Sequence, residues 1–596
     1  MLHRKTQIYL ALLTAGFLGM SLLVTALAER LPHGNYAPLV MWLFLAVAGT
    51  TGVVLLRVRR QAHLLLAGDL LEMEASEIPR RSGQTYIGHS FVWKPHHAQQ
   101  LYGYLAHGIE PSEQVQAALG GNVLIHGLGA EEEAPLYISD RKRAHHMLVL
   151  GSPGEGKTRC LELIVRQLIE QGDVVVIIDP KGDDRLISLV RQVCDETGRS
   201  QQFRLFAPPW PTASVAYNPL AHFGNPSDLA DRLIGLFPPA GGGDSEAFRG
   251  FQWGAAKAVL QAMYLTGTPI TIARTLRYLR NPGEILGTLV KARFPDLAGR
   301  DLGETVAKYE SLAAGDPKHR SPELDDLLAY VKLDPTYYSK MVASFLPQLE
   351  RLSAGPKREL LSPEPEETTR EVLSWQSIDK RKLVVYCYLG SLHGEESANA
   401  VGKMMLLDLE AYIAARYSYQ ADGDRHRLSL VVDEAHHMVS KPFMNVLAEA
   451  RGANLAVALS SQTLAQFEQS MGSRAAVEEV LTHHFLHLQF QTRNPREAED
   501  FSKLAGDRLL RVVGESFRYE PGFFDSGDRN VSDFKAVHTL NIQEKEAALV
   551  PPFAIVQLPT FHYFARMGGR IYKGRIPLLS APKRSYVRDL QEKVAS

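Results

Sequence analysis

The sequence predicts an α/β protein with a parallel sheet, organised around a phosphate-binding loop. A short apolar strand, residues 146–150, runs directly into the glycine-rich residues 151–158. Helical periodicity follows over residues 159–170, and residues 174–178 form a second apolar run. Strand, loop, helix and strand in this order are typical of a parallel α/β unit. The pattern returns later, with strands predicted at residues 382–389, 428–432, 455–459, 485–490 and 553–557 and a helix at residues 397–417.

The composition is that of an ordinary globular protein. Hydrophobic residues make up 45% and charged residues 22% of the 596 positions, which excludes wholesale disorder. The formal net charge of −1 does not indicate a dedicated duplex-DNA binder, so any nucleic-acid contact must be local, such as the lining of a pore. Cys160, Cys194 and Cys387 lack zinc-type or CxxC spacing, and we expect small buried side chains in a reducing compartment.

The N-terminus carries the membrane signal. Residues 8–27 and residues 38–56 are uncharged apolar runs, each long enough to cross a hydrocarbon core of about 30 Å. Basic residues precede the first run and follow the second, which places both ends of this hairpin in the cytoplasm. The alternative is a cleaved signal peptide with small residues at 26–28, but the first run is longer than a typical signal sequence.

Shifts in composition divide the chain into predicted domains. Short apolar runs alternating with glycine and charged turns indicate a β-rich connector, and a long helix-forming stretch indicates an inserted all-α domain. The predicted boundaries are 1–61 for the transmembrane anchor, 62–140 for the connector, 141–224 and 371–581 for the two parts of the motor domain, 225–370 for the inserted domain and 582–596 for a short C-terminal tail.

Residues 151–158 match the P-loop pattern at every fixed position. Glycines in such a loop let backbone N–H groups turn toward phosphate oxygens, and the following helix adds its partial positive charge. We expect Lys157 to reach the β- and γ-phosphates and Thr158 to hold Mg²⁺, so ATP and Mg²⁺ are the predicted cofactors. The candidate nucleotide-binding residues are Gly151, Ser152, Pro153, Gly154, Glu155, Gly156, Lys157 and Thr158.

An acidic pair ends the strand predicted at residues 428–432. Two adjacent acids at the end of an apolar strand need a cation or water as partner. Asp433 is expected to assist Mg²⁺, and Glu434 to orient or deprotonate the attacking water. In the alternative interpretation, Asp433 only caps the next helix.

Three further positions are candidates for roles around the γ-phosphate. Phosphoryl transfer needs a cation near the transferring group. Arg451 could supply it to a neighbouring subunit as an arginine finger, or could be an exposed arginine at a helix end; Arg493 is the rival candidate. Gln462, beyond the next core strand, is a candidate γ-phosphate sensor. Asp179 and Lys181 either couple the nucleotide to a pore or form an ordered turn.

Several histidines invite a metal-site interpretation. The pairs at residues 145–146, 436–437 and 483–484 flank core strands, where adjacent side chains point in opposite directions. Their spacing does not match a zinc site, so structural roles are predicted. His96 and His97 lack a carboxylate at a recognisable spacing and are predicted to be surface histidines.

Together these features resemble the coupling ATPases of conjugative type IV secretion, of the TraD/TraG type. The Asp-Pro-Lys-Gly segment at residues 179–182 is the most family-specific of them. The other elements that carry the resemblance are the two-span anchor, the P-loop at 151–158, Tyr-Asn-Pro-Leu at 217–220, and Val-Asp-Glu-Ala at 432–435 followed by Arg-Gly at 451–452 and Ser-Gln-Thr at 461–463.

The resemblance implies a RecA-like motor domain in a homo-hexameric ring at the inner membrane, with the all-α domain facing the cytoplasm. It also implies ATP-driven delivery of a relaxase-bound single-stranded DNA to a type IV secretion channel. The chain departs from some relatives beyond residue 582, where a short mixed-charge helix replaces an extended substrate-recruiting tail. Two alternatives stay open: an FtsK/HerA-like DNA translocase, which shares the motor core, and a membrane scaffold that recruits protein substrates.

Overall fold

The computed structural model describes most of the chain after residue 70. The described residues are 41–42, 45–46, 49, 52–53, 70–106, 119–237, 244–297, 301–366, 368–391, 394–420, 425–450, 452–521 and 534–595. Among them, no helix is both long and apolar enough to cross a bilayer. The first predicted span lies entirely outside the described residues, and only isolated positions of the second lie within them.

An eleven-stranded mixed sheet forms the centre of the fold, with the order β3-β2-β16-β15-β12-β4-β11-β10-β5-β9-β6. In this order, the strands from β12 through β4, β11, β10, β5 and β9 to β6 run parallel to their neighbours. The strands β15, β16, β2 and β3 extend the sheet in antiparallel fashion. The strands of the described chain are β1 (Glu72–Met73), β2 (Gln84–Val92), β3 (Ala134–Ser139), β4 (Met147–Leu150), β5 (Val174–Asp179), β6 (Phe203–Phe206), β7 (Ala216–Tyr217), β8 (Val372–Leu373), β9 (Val384–Tyr388), β10 (Leu428–Val432), β11 (Leu455–Ser461), β12 (Leu486–Phe490), β13 (Asp507–Pro521), β14 (Phe534–Ala548), β15 (His562–Met567), β16 (Arg570–Arg575) and β17 (Leu578–Leu579).

The central parallel strands are buried along their whole length because helices cover both faces of the sheet. All positions of β4, β5 and β10 are buried, as expected for strands without a solvent-facing side. The strand β4, which leads into the P-loop, is separated from β10 by β11. This order gives the α/β fold a RecA-like arrangement, with the P-loop strand inside the parallel part of the sheet.

One face of the sheet shares its hydrophobic core with a group of helices between β7 and β8. A single cluster of buried residues runs from Leu148 and Val176 of the sheet to Ala256 and Leu327 of these helices. Polar caps define several helix starts; for example, the side chain of Thr271 accepts a hydrogen bond from the backbone N–H of Arg274. The helices are Pro226–Ile234, Asp244–Leu265, Ile272–Arg280, Pro282–Arg293, Leu302–Gly315, Pro322–Val331, Pro335–Val342, Leu346–Ser353 and Pro356–Leu361.

The remaining helices surround the sheet. Lys157–Glu170 and Asp184–Glu196 pack on the second face, and their buried side chains form a separate core with β4, β5 and β12. All three cysteines are buried and free, as predicted. The other helices are Pro95–Ala106, Val123–Gly127, Asp140–Arg143, Trp375–Lys380, Glu395–Tyr419, Lys441–Glu449, Leu464–Met471, Arg474–His483, Pro495–Ala505, Pro552–Val556 and Tyr586–Ala595.

Two local predictions are wrong. The strand predicted at residues 553–557 is the helix Pro552–Val556, which begins at a proline. Proline has a backbone angle preset for the first helical position and lacks the N–H that a strand ladder needs. Residues 123–125, one of the short apolar runs that indicated the β-rich connector, belong to the helix Val123–Gly127, because the Asn122 side chain accepts from Leu124 N and caps it.

Candidate nucleotide-binding site

The ends of four parallel strands bring the predicted site residues together. Leu150 of β4 is in register with Ser461 of β11, and Val432 of β10 is in register with Leu459 and with Ile178 of β5. The carboxyl ends of these strands therefore lie at one edge of the sheet. Four predicted features follow directly at this edge: the P-loop, Gln462, the acidic pair and the Asp-Pro-Lys-Gly turn.

The P-loop needs glycine for both conformation and space. Gly154 and Gly156 have φ angles of +86° and +123°, in the region that favours glycine. A Cβ atom at Gly156 would lie 3.1 Å from the rings of Phe490 and Phe561. Pro153 and Gly154, at the crest of the loop, are exposed. The loop is therefore packed tightly at its base and open to a ligand at its crest.

Lys157 lies under the loop and is satisfied by it. Its Nζ donates to the carbonyl oxygens of Gly151, at 2.6 Å, and Ser152, at 3.1 Å. Burial lowers the pKa of Lys157, although the charges of Glu434 and Asp433 act in the opposite direction. The structure thus places the P-loop lysine close to the acidic pair, although Asp433 follows Lys157 by 276 positions in the sequence.

Asp433 is a buried carboxylate without a cationic hydrogen-bond partner among the described residues. It accepts from the backbone N–H of Glu434 at 3.0 Å and from the hydroxyl of Ser460. Burial, followed by the charge of Asp179, raises the pKa of Asp433 to about 6. A carboxylate and the hydroxyl of Thr158 are hard oxygen ligands of the kind that Mg²⁺ takes together with phosphate oxygens and water. The residues present therefore fit a divalent cation.

Glu434 has a strained backbone and one carboxylate oxygen, 3.7 Å from Nδ1 of His436, that receives no hydrogen bond from the described residues. Its φ of +45° is left-handed, which is unusual for a non-glycine residue and costs about 1–3 kcal/mol. Its Oε1 accepts from Nζ of Lys181 and, at 3.1 Å, from Nε2 of Gln462. Its Oε2 is buried and has no hydrogen-bond partner among the described residues. Burial acts to raise the pKa of Glu434, but the contacts with Lys181 and Gln462 and the charge of Lys157 together outweigh it, so the pKa is lowered and the side chain is ionised.

The Asp-Pro-Lys-Gly segment is an ordered turn that directs Lys181 to Glu434. The buried Asp179 accepts from the backbone N–H groups of Gly182, at 2.8 Å, and Asp183, at 2.6 Å, and from the hydroxyl of Tyr386 at 2.5 Å. Gly182 has a φ of +84°. Because the turn is tied down on both sides of Lys181, the ammonium is held at the end of β10.

The two candidate arginines differ in what the structure describes. Arg451 lies outside the described residues, and its predicted role stays a prediction. Arg493 follows β12 and lies beside the P-loop of its own chain, because its backbone N–H donates to Oγ of Ser152 at 3.1 Å. Its side chain is exposed, and its charge acts on Glu155 of the loop.

Sequence reasoning missed the segment that packs against the P-loop from the far end of the chain. The backbone N–H of Phe561 donates to the carbonyl oxygen of Glu155 at 3.0 Å, and Oγ1 of Thr560 donates to its carboxylate at 3.2 Å. Phe561 also has a left-handed φ of +64°. The single sequence offers no local signal for a contact across some 400 residues.

The histidine pairs have structural partners, as predicted. Nε2 of His146 hydrogen-bonds to the carbonyl oxygen of Leu447 at 2.9 Å, and Nδ1 of His436 to the hydroxyl of Ser461 at 2.9 Å. The interpretation of His97 as a surface residue is wrong, because it is buried and its Nε2 lies 3.0 Å from Glu132.

His96, His97 and Glu132 form the one group of three or more His, Cys, Asp or Glu residues in the described chain with a spacing that suits a metal ion. The backbone N–H of Lys94 donates to Nδ1 of His97 at 3.0 Å. Nε2 of a neutral His97 therefore carries the proton and donates to Glu132, so it is not free to ligate a metal.

Sequence comparisons match two segments of the chain to known protein families. Residues 427–560 match the family model of the TraM recognition site of TraD and TraG, and residues 124–206 match that of the central domain of the helicase HerA. The type 4 coupling protein DotL of Legionella pneumophila subsp. pneumophila (strain Philadelphia 1) is 21% identical over 508 residues, which cover 77% of this chain. The match spans 63% of DotL, less than two thirds of its length.

Comparison with solved structures gives matches of partial similarity in the course of the chain. The unbound bacterial conjugative coupling protein TrwBdeltaN70 has a TM-score of 0.49 at 17% identity, and TrwB in complex with ADP and Mg²⁺ a TM-score of 0.48 at 15% identity; each match covers 75% of this chain and 88% of the other. VirB4 of Thermoanaerobacter pseudethanolicus has a TM-score of 0.40 at 13% identity, covering 76% and 95%. The sequence matches, which include the strand that carries Asp433 and Glu434, support the resemblance of this chain to type IV coupling proteins of the TraD/TraG type.

Proposed function

We propose that the chain is an inner-membrane ATPase that couples a relaxase-bound single-stranded DNA to a type IV secretion channel and drives its translocation. One observation carries this proposal. An ionised Glu434 with a free carboxylate oxygen lies at the same sheet edge as the P-loop lysine. A binding scaffold does not need a strained, ionised carboxylate at that position, whereas hydrolysis needs a base there.

The site residues divide the chemical work. The P-loop amides and Lys157 bind the β- and γ-phosphates. To do so, the Lys157 ammonium gives up its hydrogen bonds to the carbonyl oxygens of Gly151 and Ser152 and donates to phosphate oxygens instead. Thr158 and Asp433 hold Mg²⁺, which when bound neutralises charge on the phosphate oxygens. Oε2 of Glu434 orients a water molecule and accepts its proton. Gln462 hydrogen-bonds to the other oxygen and reports the state of the γ-phosphate to β11.

The remaining parts of the proposal concern assembly and place. Residues 8–27 and 38–56 anchor the chain in the inner membrane, with both termini and the motor domain in the cytoplasm, as the flanking basic residues favour. Six subunits form a ring in which Arg451, or Arg493 in its place, contributes the cation at the γ-phosphate. The match of residues 427–560 to a TraM recognition site supports contact of this region with the DNA-processing partners of the channel.

A second candidate function is a HerA-like DNA translocase. The match of residues 124–206 to the central domain of HerA favours a motor core of this kind. The two functions differ in substrate: a coupling ATPase acts on a relaxase-bound single strand, whereas the translocase acts on duplex DNA.

ATP hydrolysis by the full chain in detergent, with and without DNA, tests the proposal. We expect Lys157→Ala and Glu434→Gln each to lower kcat by about 100-fold or more, because a positioned base contributes about 10²–10⁴. Glu478→Gln, at a glutamate that is 69% exposed, and Lys291→Ala, at an exposed lysine, should leave hydrolysis unchanged.

Stimulation by single-stranded DNA supports the coupling function, and stimulation by duplex DNA alone favours the HerA-like alternative. If Glu434→Gln hydrolyses ATP at the normal rate, the proposed base is wrong. If DNA transfer in cells survives both site substitutions, the scaffold interpretation replaces the motor.

A further inference from the structure

A buried carboxylate joins the two segments that flank the P-loop strand. The strand β4, which leads into the P-loop, lies between β11 and β12 in the sheet. Gln462 follows β11, and the helix Pro495–Ala505 follows β12. Oε2 of Glu497, in the first turn of that helix, accepts a hydrogen bond from the backbone N–H of Leu464 at 2.8 Å. This hydrogen bond therefore connects elements that lie on opposite sides of the P-loop strand.

On the side of β11, the contact fixes the start of the helix that follows Gln462. Leu464 is the first residue of the helix Leu464–Met471, so its N–H has no partner inside that helix. Leu464 is also buried, which keeps this N–H away from solvent. Gln462 lies two residues before Leu464, and its Nε2 donates to Oε1 of Glu434 at 3.1 Å. Glu497 thus holds the turn that carries the partner of the proposed base.

On the side of β12, the segment that leads to Glu497 is attached to the P-loop. The backbone N–H of Ser152 donates to the carbonyl oxygen of Gln491 at 2.8 Å. Oγ of Ser152 accepts from the backbone N–H of Arg493 at 3.1 Å. The side chain of Asn494 then caps the helix, and Glu497 lies in its first turn. The chain between the P-loop and Glu497 is therefore short and is fixed at both ends.

The Glu497 carboxyl group is satisfied by this contact alone. Glu497 is 2% exposed, and its Oε1 has no hydrogen-bond partner within the part of the chain that the structure describes. Burial raises the pKa of Glu497 to about 7, although the N–H of Leu464 acts in the opposite direction. Burying a carboxyl group with one unpaired oxygen costs free energy that an apolar side chain would not. The hydrogen bond to Leu464 is what this position provides in return.

We propose that Glu497 is a positioning residue, which holds Gln462, and through it the carboxylate of Glu434, at a fixed distance from the P-loop. The inference rests on the proposed ATPase function and extends it to a residue that acts only through its neighbours. The P-loop keeps its own hydrogen bonds to Gln491 and Arg493 when Glu497 is changed. The rate of turnover, rather than the binding of ATP, should therefore depend on the contact.

Steady-state ATP hydrolysis by the full chain in detergent tests the contact from both partners. In Glu497→Leu, the buried N–H of Leu464 loses its acceptor, so we expect kcat to fall about tenfold and KM to change by less than about twofold. Glu497→Gln keeps an oxygen acceptor and should retain kcat within about twofold. Leu464→Pro removes the donor instead, at the first helical position, where proline fits, and should lower kcat as Glu497→Leu does.

A double variant decides whether Glu497 acts through Gln462. In a Gln462→Leu background, Glu497→Leu should lower kcat by less than about twofold, because both changes interrupt the same connection. Thr271→Val is the matched control, since it removes another buried acceptor at a helix start, 3.2 Å from the N–H of Arg274, among the helices between β7 and β8. Its kcat should be unchanged.

Four results would overturn the inference while leaving the proposed ATPase intact. They are a normal kcat in both Glu497→Leu and Leu464→Pro, a tenfold loss in Glu497→Gln, an undiminished effect of Glu497→Leu in the Gln462→Leu background, and an equal loss in Thr271→Val. If the unmodified chain does not hydrolyse ATP, the proposed function fails and this inference fails with it.

Discussion

The contact between Lys181 and Glu434 allows a direct test of the proposed base. The Glu434 side chain is 5% exposed and that of Lys181 is 55% exposed, so a half-exposed ammonium stabilises a buried carboxylate. Lys181→Gln removes the charge but can keep a hydrogen bond, and Lys181→Arg keeps both. Because Lys181 contacts Glu434 and not the P-loop, the substitution perturbs the base while leaving the phosphate site intact.

The contact between Lys181 and Glu434 determines how much free energy, and therefore how much rate, the Lys181→Gln variant should lose. A hydrogen bond to a charged group contributes about 1.5–3 kcal/mol net. Solvent screening at the exposed lysine reduces this to about 1 kcal/mol, and Gln462 still donates to the same oxygen. About 1 kcal/mol corresponds to a factor of about five in rate where ionisation of the base limits hydrolysis.

The pKa shift of Glu434 determines in which direction the pH profile of the variant should move. With Lys181 present, the pKa of Glu434 is below its ordinary value, so the carboxylate is ionised above that value and becomes protonated only as the pH falls through the lowered pKa. Without the ammonium, only Gln462 and Lys157 still oppose the effect of burial, so the pKa of Glu434 rises. The acid limb of kcat in Lys181→Gln should therefore move to higher pH, while the rate at alkaline pH approaches that of the unmodified chain.

Steady-state ATP hydrolysis between about pH 5 and pH 9 measures this shift. We expect the loss of kcat in Lys181→Gln to grow toward about twofold as the pH falls to 5, since the full factor of about five is reached only below the lowered pKa. KM should change little, and Lys181→Arg should restore the profile. An acid limb that does not move would refute the role of Lys181 in ionising the base. A higher rate in Lys181→Gln would show instead that the lysine restrains Glu434.

Two other substitutions test the packing around the site. Asp408→Asn should destabilise the chain by about 3–5 kcal/mol in urea unfolding, because it leaves the buried Arg232 without its carboxylate at 2.8 Å; the double variant Arg232→Met/Asp408→Leu should lose much less, and equal losses would contradict this. Gly156→Ala should abolish ATP binding in a direct titration, because its φ is left-handed and its Cβ would press on two aromatic rings; Gly198→Ala, with a similar φ but open space around it, should bind ATP normally.

The elements next to the P-loop could be predicted because their signals are local. An unbroken apolar run predicts the strand at 428–432, and a helical period predicts that the P-loop helix ends at Glu170. The contacts that complete the site are not local. Phe561 and Thr560 reach Glu155 through the pairing of β15 with β12, and a sequence alone does not specify which strands of a sheet become neighbours.

The same limit explains the misassigned helix Pro552–Val556. Its five residues are mostly apolar and alternate too briefly for a strand period to be distinguished from a helical turn. Tertiary packing decides between them, since Ala554 and Ile555 enter a core shared with Trp93 and Phe564. The prediction failed where the period was short and the partners were distant in sequence.

Asp433 and Glu434 are adjacent in sequence, are both buried, and yet have pKa values shifted in opposite directions. Asp433 has Asp179 near it and no cationic hydrogen-bond partner among the described residues, so its pKa is raised to about 6, whereas Glu434 is hydrogen-bonded to Lys181 and its pKa is lowered. Environments that separate two neighbouring carboxyl groups in this way distinguish their roles. The group that lacks a cation is the one that gains most from binding a divalent metal ion. The group that carries its own cation is ionised before any metal arrives and is therefore available to accept a proton from water.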